Sequence, residues 1–543
     1  MQDNKHYIDP STDFSRFAEL EELEKEYTYV EFDVSSEKVN PQAGLGIEVN
    51  QDKNGEVKGS LIDGSDTNTI IVSSTGSGKT RRILSNYMLS CVLAKHSFVV
   101  HDPKGELYGF FYKALKSKGY DIRVLNLRDP MTGDRLNFLE EAAKLWKKGK
   151  EDRAIEIACE IGESLYFPIE DADDKFWTTA AINLFCCYFI IAASLLEPEY
   201  VTIGAIYNIH VQGLEKMPGQ VSKIQTYLEA HKGEKCYELG MPSITASDKT
   251  RQSIFSVFSN GLAKIILNRE IEDMLTKSTF KVEDMVSKKK PVALFLITRD
   301  DAPKAYATVV SSIVNMVYTT LIDIAHTKYN RTLPKTVHFL LEEFGNIAAL
   351  SNINDMMTAS RSREIRFVIV VQSLYQLNLI YGKGMAYIII GNTQNLVYMS
   401  STDMELVRII SERCGSRYDQ YTNSIRPLLS PDRLMHLDKE SGETLFLLGR
   451  HYPYISYLPD LSCYKMIEPM EIVKFKKRER IIWDKNFFSN AVKKMRDDKI
   501  KELLDEDVFS VREKNGKISN GPKLQIPKNL LNKMNKIVHV STQ

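Results

Sequence analysis

Paired cysteines are missing from this chain. Its seven cysteines, Cys91, Cys159, Cys186, Cys187, Cys236, Cys414 and Cys463, are scattered, and none forms a C-x-x-C pair. That excludes a zinc ribbon, and an odd, unpatterned count reads as buried thiols in a reducing compartment. An overall charge bias is missing too: Lys and Arg number 71 and Asp and Glu 71, so composition alone does not announce a nucleic-acid binder. The opening residues, MQDNKHYIDPSTDF, are polar and acidic, which fits neither a signal peptide nor a transit peptide. Long hydrophobic runs are scarce. The single candidate, residues 180–196 (AAINLFCCYFIIAASLL), contains Asn183 and lacks basic flanks. It falls short of the roughly 20 apolar residues of a membrane span and is expected to be a buried helix. Internal repeats and low-complexity tracts are absent as well.

What is present is ordinary globular material: 543 residues, 43% hydrophobic and 26% charged, enough for two to four domains with a true core. Charge is uneven locally. Residues 1–40 hold four basic against eleven acidic side chains, and residues 471–543 hold eighteen basic against ten acidic; such asymmetry marks either partner-binding tails or solvated helical faces. An acidic segment, 1–45, includes a short helix over about 14–27. Residues 47–62 alternate around Asn54-Gly55 and predict a β-hairpin. Strand, loop and helix then alternate: strands at 69–73, 97–101 and 121–125, with helices from 79 to about 94 and from 106 to about 118. That rhythm predicts an α/β domain with a parallel sheet covered on both faces. It stops over 137–287, which reads as helices (152–165, 177–196 and 247–267 among them), an all-α insertion. Strands resume at 292–297, 336–341 and 366–371, with a further candidate at 443–448. The expected domains are therefore 1–45, an ATPase domain in two parts (46–136 and 288–467), the all-α insertion 137–287, and a basic C-terminal tail, 468–543. In that tail Trp483, Phe487 and Phe488 interleave with the charges, as in a segment that packs on a partner or stacks on bases.

The chemistry sits first in Ser73-Ser74-Thr75-Gly76-Ser77-Gly78-Lys79-Thr80, a GxxxxGK[ST] pattern with serine for the first glycine. A glycine-rich turn between strand and helix lets backbone N–H groups cradle phosphates at a helix N-terminus. Thr75, Gly76, Ser77, Gly78, Lys79, Thr80 and Arg81 are the expected nucleotide contacts, with Lys79 on the β- and γ-phosphates of ATP and Thr80 on Mg²⁺. A carboxylate ending another buried strand should complete the site, and VHFLLEE supplies two. Glu342 takes the metal position usually held by aspartate, and Glu343 the place that polarises the attacking water. Gln372, after the strand 366–371, suits a γ-phosphate sensor. Arg361, Arg363 and Arg366 lie at the start of that strand, where one can act on a neighbouring subunit as an arginine finger.

Taken together, STGSGKT, VVHDPKGEL, FLLEEFGNI, RSREIRFVIVVQSLYQL and IIIGNTQNLVYMSSTDMELVRIISERCG resemble the type IV secretion coupling ATPases of the TraG/TraD type, over about 44–464. The resemblance implies a RecA-like motor related to FtsK and HerA. It implies a homo-oligomer, a hexameric ring when active, that uses ATP and Mg²⁺ to move DNA or a relaxase–DNA complex towards a type IV secretion channel. Lys79 and Thr80 match its Walker A pair, Glu342 and Glu343 its Walker B pair, Gln372 its sensor, and Arg361 its finger. Asp102-Pro103-Lys104-Gly105-Glu106 matches a family signature with no assigned step. Relatives carry transmembrane helices ahead of the ATPase and none is seen here. The expectation is a cytoplasmic protein docked on a membrane-anchored partner at the inner face of the cell membrane. Two other readings stand beside it: a soluble FtsK/HerA-like DNA translocase in mobile-element maintenance or phage defence, and a nucleotide-gated adaptor with weak ATPase activity, to which Ser73 and Glu342 point.

Overall fold

The computed structural model describes residues 14–514 except 34, 36–41, 167–171, 218–220, 287–289, 300, 302, 420, 466, 468, 469, 471 and 472. The acidic start, 1–13, and the basic stretch beyond 514 lie outside the described residues. The chain divides into two units, Met1–Leu136 with Ser278–Glu479, and Asn137–Lys277 with Arg480–Gln543.

Among the described residues, the first unit carries all the strands. In chain order they are β1 Thr28–Glu31, β2 Leu45–Gln51, β3 Val57–Asp63, β4 Thr69–Ser73, β5 Ser97–Asp102, β6 Asp121–Asn126, β7 Val292–Ile297 and β8 Val337–Leu341. There follow β9 Ile365–Val371, β10 Asn395–Ser400, β11 Ser416–Asp419, β12 Ser424–Pro427, β13 Glu443–Leu448 and β14 Tyr454–Tyr457. Nine form one sheet in the order β14-β13-β10-β4-β9-β8-β5-β7-β6. It is parallel from β10 to β6, and β13 and β14 close one edge antiparallel. Every residue of β4, β5, β7, β8 and β9 is buried, because helices cover both faces; that is why these strands read as unbroken apolar runs rather than alternating ones. The chain leaves β4 and returns as β5 three strands away. The carboxyl ends of β4, β5, β8 and β9 therefore meet at one edge, where open α/β sheets bind ligands.

Some details depart from the sequence expectation. The helix expected over about 14–27 is one turn, Leu20–Leu23, in which Leu23 alone is buried: a run of glutamates has no apolar face to dock. The next residues instead form β1, paired to β3, so the predicted hairpin is a three-stranded sheet. Its turn is closed by Asp52, whose carboxylate accepts the Asn54 and Glu56 N–H groups at 2.9 and 3.0 Å. Strand β10, beside β4, was not anticipated. It follows the helix Lys383–Asn392 after two residues, and one apolar run covering both elements hides the boundary.

The second unit is all helical and enters between β6 and β7, where the strand rhythm stops. Ala172–Leu195 is its central helix, apolar on all sides, and Leu184, Phe185, Tyr188 and Phe189 on it are buried. Among the described residues two helices, not one, are long and apolar enough to cross a bilayer: Lys175–Leu195 and, in the first unit, Tyr306–Lys328; both are mostly buried. The second escaped notice because Ser, Thr and Asn interrupt its apolar residues. Cys159 and Cys186, on facing helices with Cα atoms 5.9 Å apart, have their sulfurs brought together, where seven separate thiols were expected. The expected tail also differs. From Arg480 the chain belongs to the helical unit, and the helix Phe487–Lys514 buries Phe487, Phe488 and Val492, with Phe488 against Tyr227. Burying one such ring stabilises by about 1.5–3 kcal/mol, so Phe487 and Phe488 are core side chains of this unit and not base-stacking ones.

Candidate nucleotide site

β4 delivers the chain to the phosphate loop at Ser73. The loop is pinned to the neighbouring strand: Ser74 N–H donates to the Ser400 carbonyl at 3.0 Å, and the two hydroxyls lie 2.6 Å apart. Ser73, which stands where a glycine is usual, is buried with its hydroxyl against that of Ser77. Gly76 and Gly78 have φ of +75° and +94°. At Gly76 a Cβ would meet nothing within 4 Å, so backbone sign alone demands glycine there. The helix that follows opens with one wide turn, Thr80–Leu84, before the regular helix Ser85–Ala94; such turns concentrate at functional sites.

Thr75, Gly76, Gly78, Lys79, Thr80 and Arg81 line a cavity of about 360 Å³ together with Glu342, Glu343 and Gln372. Ser77 turns its hydroxyl the other way, to Ser73 and to the Ser74 carbonyl at 2.8 Å. Arg81 donates to Asp460 at 2.7 and 2.5 Å and lies over the Phe110 ring; the guanidinium holds the Asp460 carboxyl well below the usual range.

The two glutamates end β8 and do different things. Glu342 is buried and accepts the Thr80 hydroxyl. Burial pushes its carboxyl up to about 7, the Thr80 bond opposes this, and Asp102 nearby adds to it. Glu343 adopts the left-handed region, φ +51°, which costs a non-glycine residue on the order of 1 kcal/mol or more. That turn aims its carboxylate back over the phosphate loop. There it pairs with Lys79 at 2.5 Å and accepts from Gln372 Nε2 at 2.7 Å and Asn346 Nδ2 at 3.3 Å. Thr75 in turn donates to Gln372 Oε1 at 3.2 Å. The phosphate loop, Glu343 and Gln372 are thus joined by one chain of hydrogen bonds.

Arg361 stands apart. It lies in the turn before β9, at the opposite end of that strand from Gln372, and donates to Asp66 at 3.0 to 3.2 Å. The seven residues of β9 span about 23 Å, so Arg361 does not reach the cavity of its own chain. Arg366 is buried and fully bonded, to Glu364 at 3.0 Å and to the carbonyls of Ser65, Arg361 and Ile365.

Several cavity residues were not anticipated. His101, the last residue but one of β5, sits 2.6 Å from the Glu342 carbonyl through Nδ1 and 3.3 Å from the Thr298 hydroxyl through Nε2. Burial pushes it down to about 4; it is neutral and positions the Glu342 backbone by donating from Nδ1. Asp102 accepts the Tyr108 N–H at 2.8 Å and so caps the helix Glu106–Ser117. The signature DPKGE therefore starts a helix and also places Lys104 and Glu106 on the cavity wall. The signals were present, a polar residue at a buried strand's end and an asparagine three after Glu343, but neither has a spacing rule.

The donor set fits a magnesium nucleotide. Mg²⁺ is usually held by one or two protein oxygens plus waters and phosphates, and Thr80 with Glu342 offers that pair. Among the described residues no group of three His, Cys, Asp or Glu side chains is placed to hold a metal alone. The additional methylene of glutamate does not keep Glu342 from the Thr80 hydroxyl.

Known proteins resemble this chain in sequence and in fold. The sequence profile of the family described as type IV secretory system conjugative DNA transfer matches residues 15–485. VirD4 of Agrobacterium fabrum is 24% identical over 440 residues, 75% of this chain and 61% of VirD4, and VirD4 of Rhizobium rhizogenes is 24% identical over 418 residues, 72% and 58%. The chain thus spans about three fifths of the length of these relatives. Among solved structures, the plasmid coupling protein TrwB in complex with the ATP analogue ADPNP superposes with a TM-score of 0.60 at 16% identity, covering 87% of this chain and 98% of TrwB. TrwB with ADP and Mg²⁺ gives 0.57 at 15% identity, covering 86% and 95%. The fold is that of a RecA-like P-loop ATPase with an inserted helical domain, and the chain belongs to the type IV secretory system conjugative DNA transfer family.

Proposed function

We propose that this chain is an ATP-driven coupling protein that recruits DNA, or a relaxase–DNA complex, and helps move it into a type IV secretion channel. The observation that carries the ATPase part is the chain Thr75–Gln372–Glu343–Lys79 beside the Thr80–Glu342 pair. Lys79 neutralises Glu343. On binding ATP, Lys79 exchanges that carboxylate for phosphate oxygens. Glu343 is then released to take a proton from water, and Gln372, which already touches Glu343 and the phosphate loop, orients that water. Thr80 and Glu342 would hold Mg²⁺, and the bound ion would supply charge neutralisation to the phosphates. Arg361 completes the site of a neighbouring subunit in a hexameric ring, where its exposed guanidinium stabilises charge at the γ-phosphate. Ser73 and Glu342 depart from the usual motifs, yet both are accommodated, which favours a hydrolysing motor over a weakly active adaptor. The partners are DNA and a membrane-anchored channel subunit, and the place of action is the cytoplasmic face of the membrane.

The test is ATP hydrolysis by the purified chain with and without single-stranded DNA. Hydrolysis raised by DNA is the expected result. Vigorous hydrolysis indifferent to DNA would overturn the coupling role and leave the ATPase; no hydrolysis in either condition would favour the adaptor.

A further inference from the structure

Outside the nucleotide site, the first unit carries the ribbon β11–β12. It is a two-stranded sheet of its own, and two strands alone are marginally stable in water. Its base is tied down: Ser15 N–H donates to the Ser416 carbonyl at 2.8 Å, the Ser15 hydroxyl to the Cys414 carbonyl at 2.6 Å, and Leu428 N–H to the Gly415 carbonyl at 2.9 Å. Beyond the strand, Asp419 accepts the Tyr421 N–H at 2.9 Å, and Tyr418 donates its hydroxyl to Asn423. Tyr421 is wholly exposed, and Ile425 and Tyr418 are 66% and 45% exposed.

The strand alternation separates two chemistries. Tyr418 and Ile425 are register partners and share one face; Arg417 and Arg426 are partners and share the other. Like charges directly opposite each other destabilise a ribbon. Arg426 is partly neutralised by Asp419 at 3.2 Å, and Arg417 is exposed. A polyanion that bridges both guanidiniums removes the repulsion. Cations that track a phosphate backbone beside an exposed aromatic on which bases stack are how proteins hold single-stranded nucleic acid without sequence preference.

We infer that the β11–β12 ribbon grips single-stranded nucleic acid, Arg417 and Arg426 binding consecutive phosphates and Tyr421 stacking on a base. This rests on the DNA-coupling reading and names where in the first unit the strand is held. A second copy of the chain is the competing occupant, and two exposed arginines suit it less well than a polyanion.

The experiment is fluorescence anisotropy of a labelled oligothymidylate with the full chain, across a salt series, alongside light scattering. Tyr421→Ala is expected to weaken binding on the order of tenfold, the scale of one lost base stack. Arg417→Ala with Arg426→Ala should flatten the log–log salt slope by about 1.4, about 0.7 per single-strand phosphate contact. Tyr29→Ala, an exposed aromatic on β1 of the same unit, should bind as wild type does. Wild-type binding with unchanged affinity and slope in the ribbon variants overturns the inference and spares the coupling function. No binding by the wild type overturns the coupling function itself, and the inference with it. Ribbon variants that lose their oligomeric state assign the ribbon to subunit contact instead.

Discussion

At the carboxyl end of β9, Gln372 reaches Glu343 and Thr75; at its amino end, about 23 Å away, Arg361 grips Asp66 and Arg366 is held by Glu364 and three carbonyls. Both ends are dense with charge and hydrogen bonds. At the amino end the buried cation has every partner it needs from its own chain, and the histidines beside it, His96 and His338, are stacked and pushed down by burial into the neutral form. At the carboxyl end the groups are satisfied only by one another: Lys79 by Glu343, Thr80 by Glu342. A lysine beside a carboxylate at the mouth of a cavity can exchange that partner for a phosphate. A guanidinium bonded to fixed backbone carbonyls gains nothing by exchange. One end can exchange its partners; the other holds the sheet and, on the proposed reading, presents Arg361 to a neighbour.

The sharpest way to break this comparison is at Lys79. Lys79→Ala should abolish ATP hydrolysis, a loss of at least about 10³-fold, with the fold intact by circular dichroism, because charge developing during γ-phosphoryl transfer loses its counter-ion. Turnover at the wild-type rate would remove the site assignment.

Next comes Arg361, whose proposed role depends on a second subunit. Arg361→Ala should lower turnover about 10³-fold, the low end for an arginine finger, with nucleotide affinity nearly unchanged. Mixed with Lys79→Ala subunits it should regain part of the activity, since some interfaces then hold both residues. Absence of rescue at every mixing ratio would return Arg361 to a purely structural pairing with Asp66.

The two glutamates should divide the work. Glu343→Gln is expected to bind ATP and turn over about 10²-fold more slowly, the scale of a lost general base. Glu342→Gln should weaken Mg²⁺-dependent binding instead. Isothermal titration of each variant with ATP, with and without Mg²⁺, distinguishes them; equal loss of binding in both would erase the division.

The smallest effect is on stability. Burial raises Glu342 to about 7, so between the ordinary carboxylate range and about pH 7 the nucleotide-free fold keeps a proton that the unfolded chain releases. Its contribution is complete at acid pH and is lost as pH rises through about 7. The thermal midpoint of the nucleotide-free protein should therefore fall across that window, and Glu342→Gln should flatten the fall. A variant slope as steep as wild type's would place the titration elsewhere, with Asp102, raised to about 6, the next group to replace.

Much of this was legible in the sequence because the motifs bind to strand ends, and buried strands announce themselves as apolar runs. STGSGKT and FLLEE each follow such a run, and the structure brings Lys79, Thr80, Glu342, Glu343 and Gln372 into one cavity. What stayed hidden depended on partners remote in the chain. Nothing at Ser400 marks it as the anchor of the phosphate loop, and nothing at His101 marks it as a support for Glu342. The C-terminal helix failed for a related reason: its charged residues outnumber the few aromatics that dock it, so local composition read as a tail.

Glu343 stands in a backbone conformation that glycine or asparagine would adopt with less strain. Glu343→Asn would relieve the backbone, but it would strip buried Lys79 of its carboxylate, and a buried charge left unpaired costs more than the strain relieved. The variant should melt lower than the parent and hydrolyse ATP far more slowly. The strained turn is thus held in place by its ion pair.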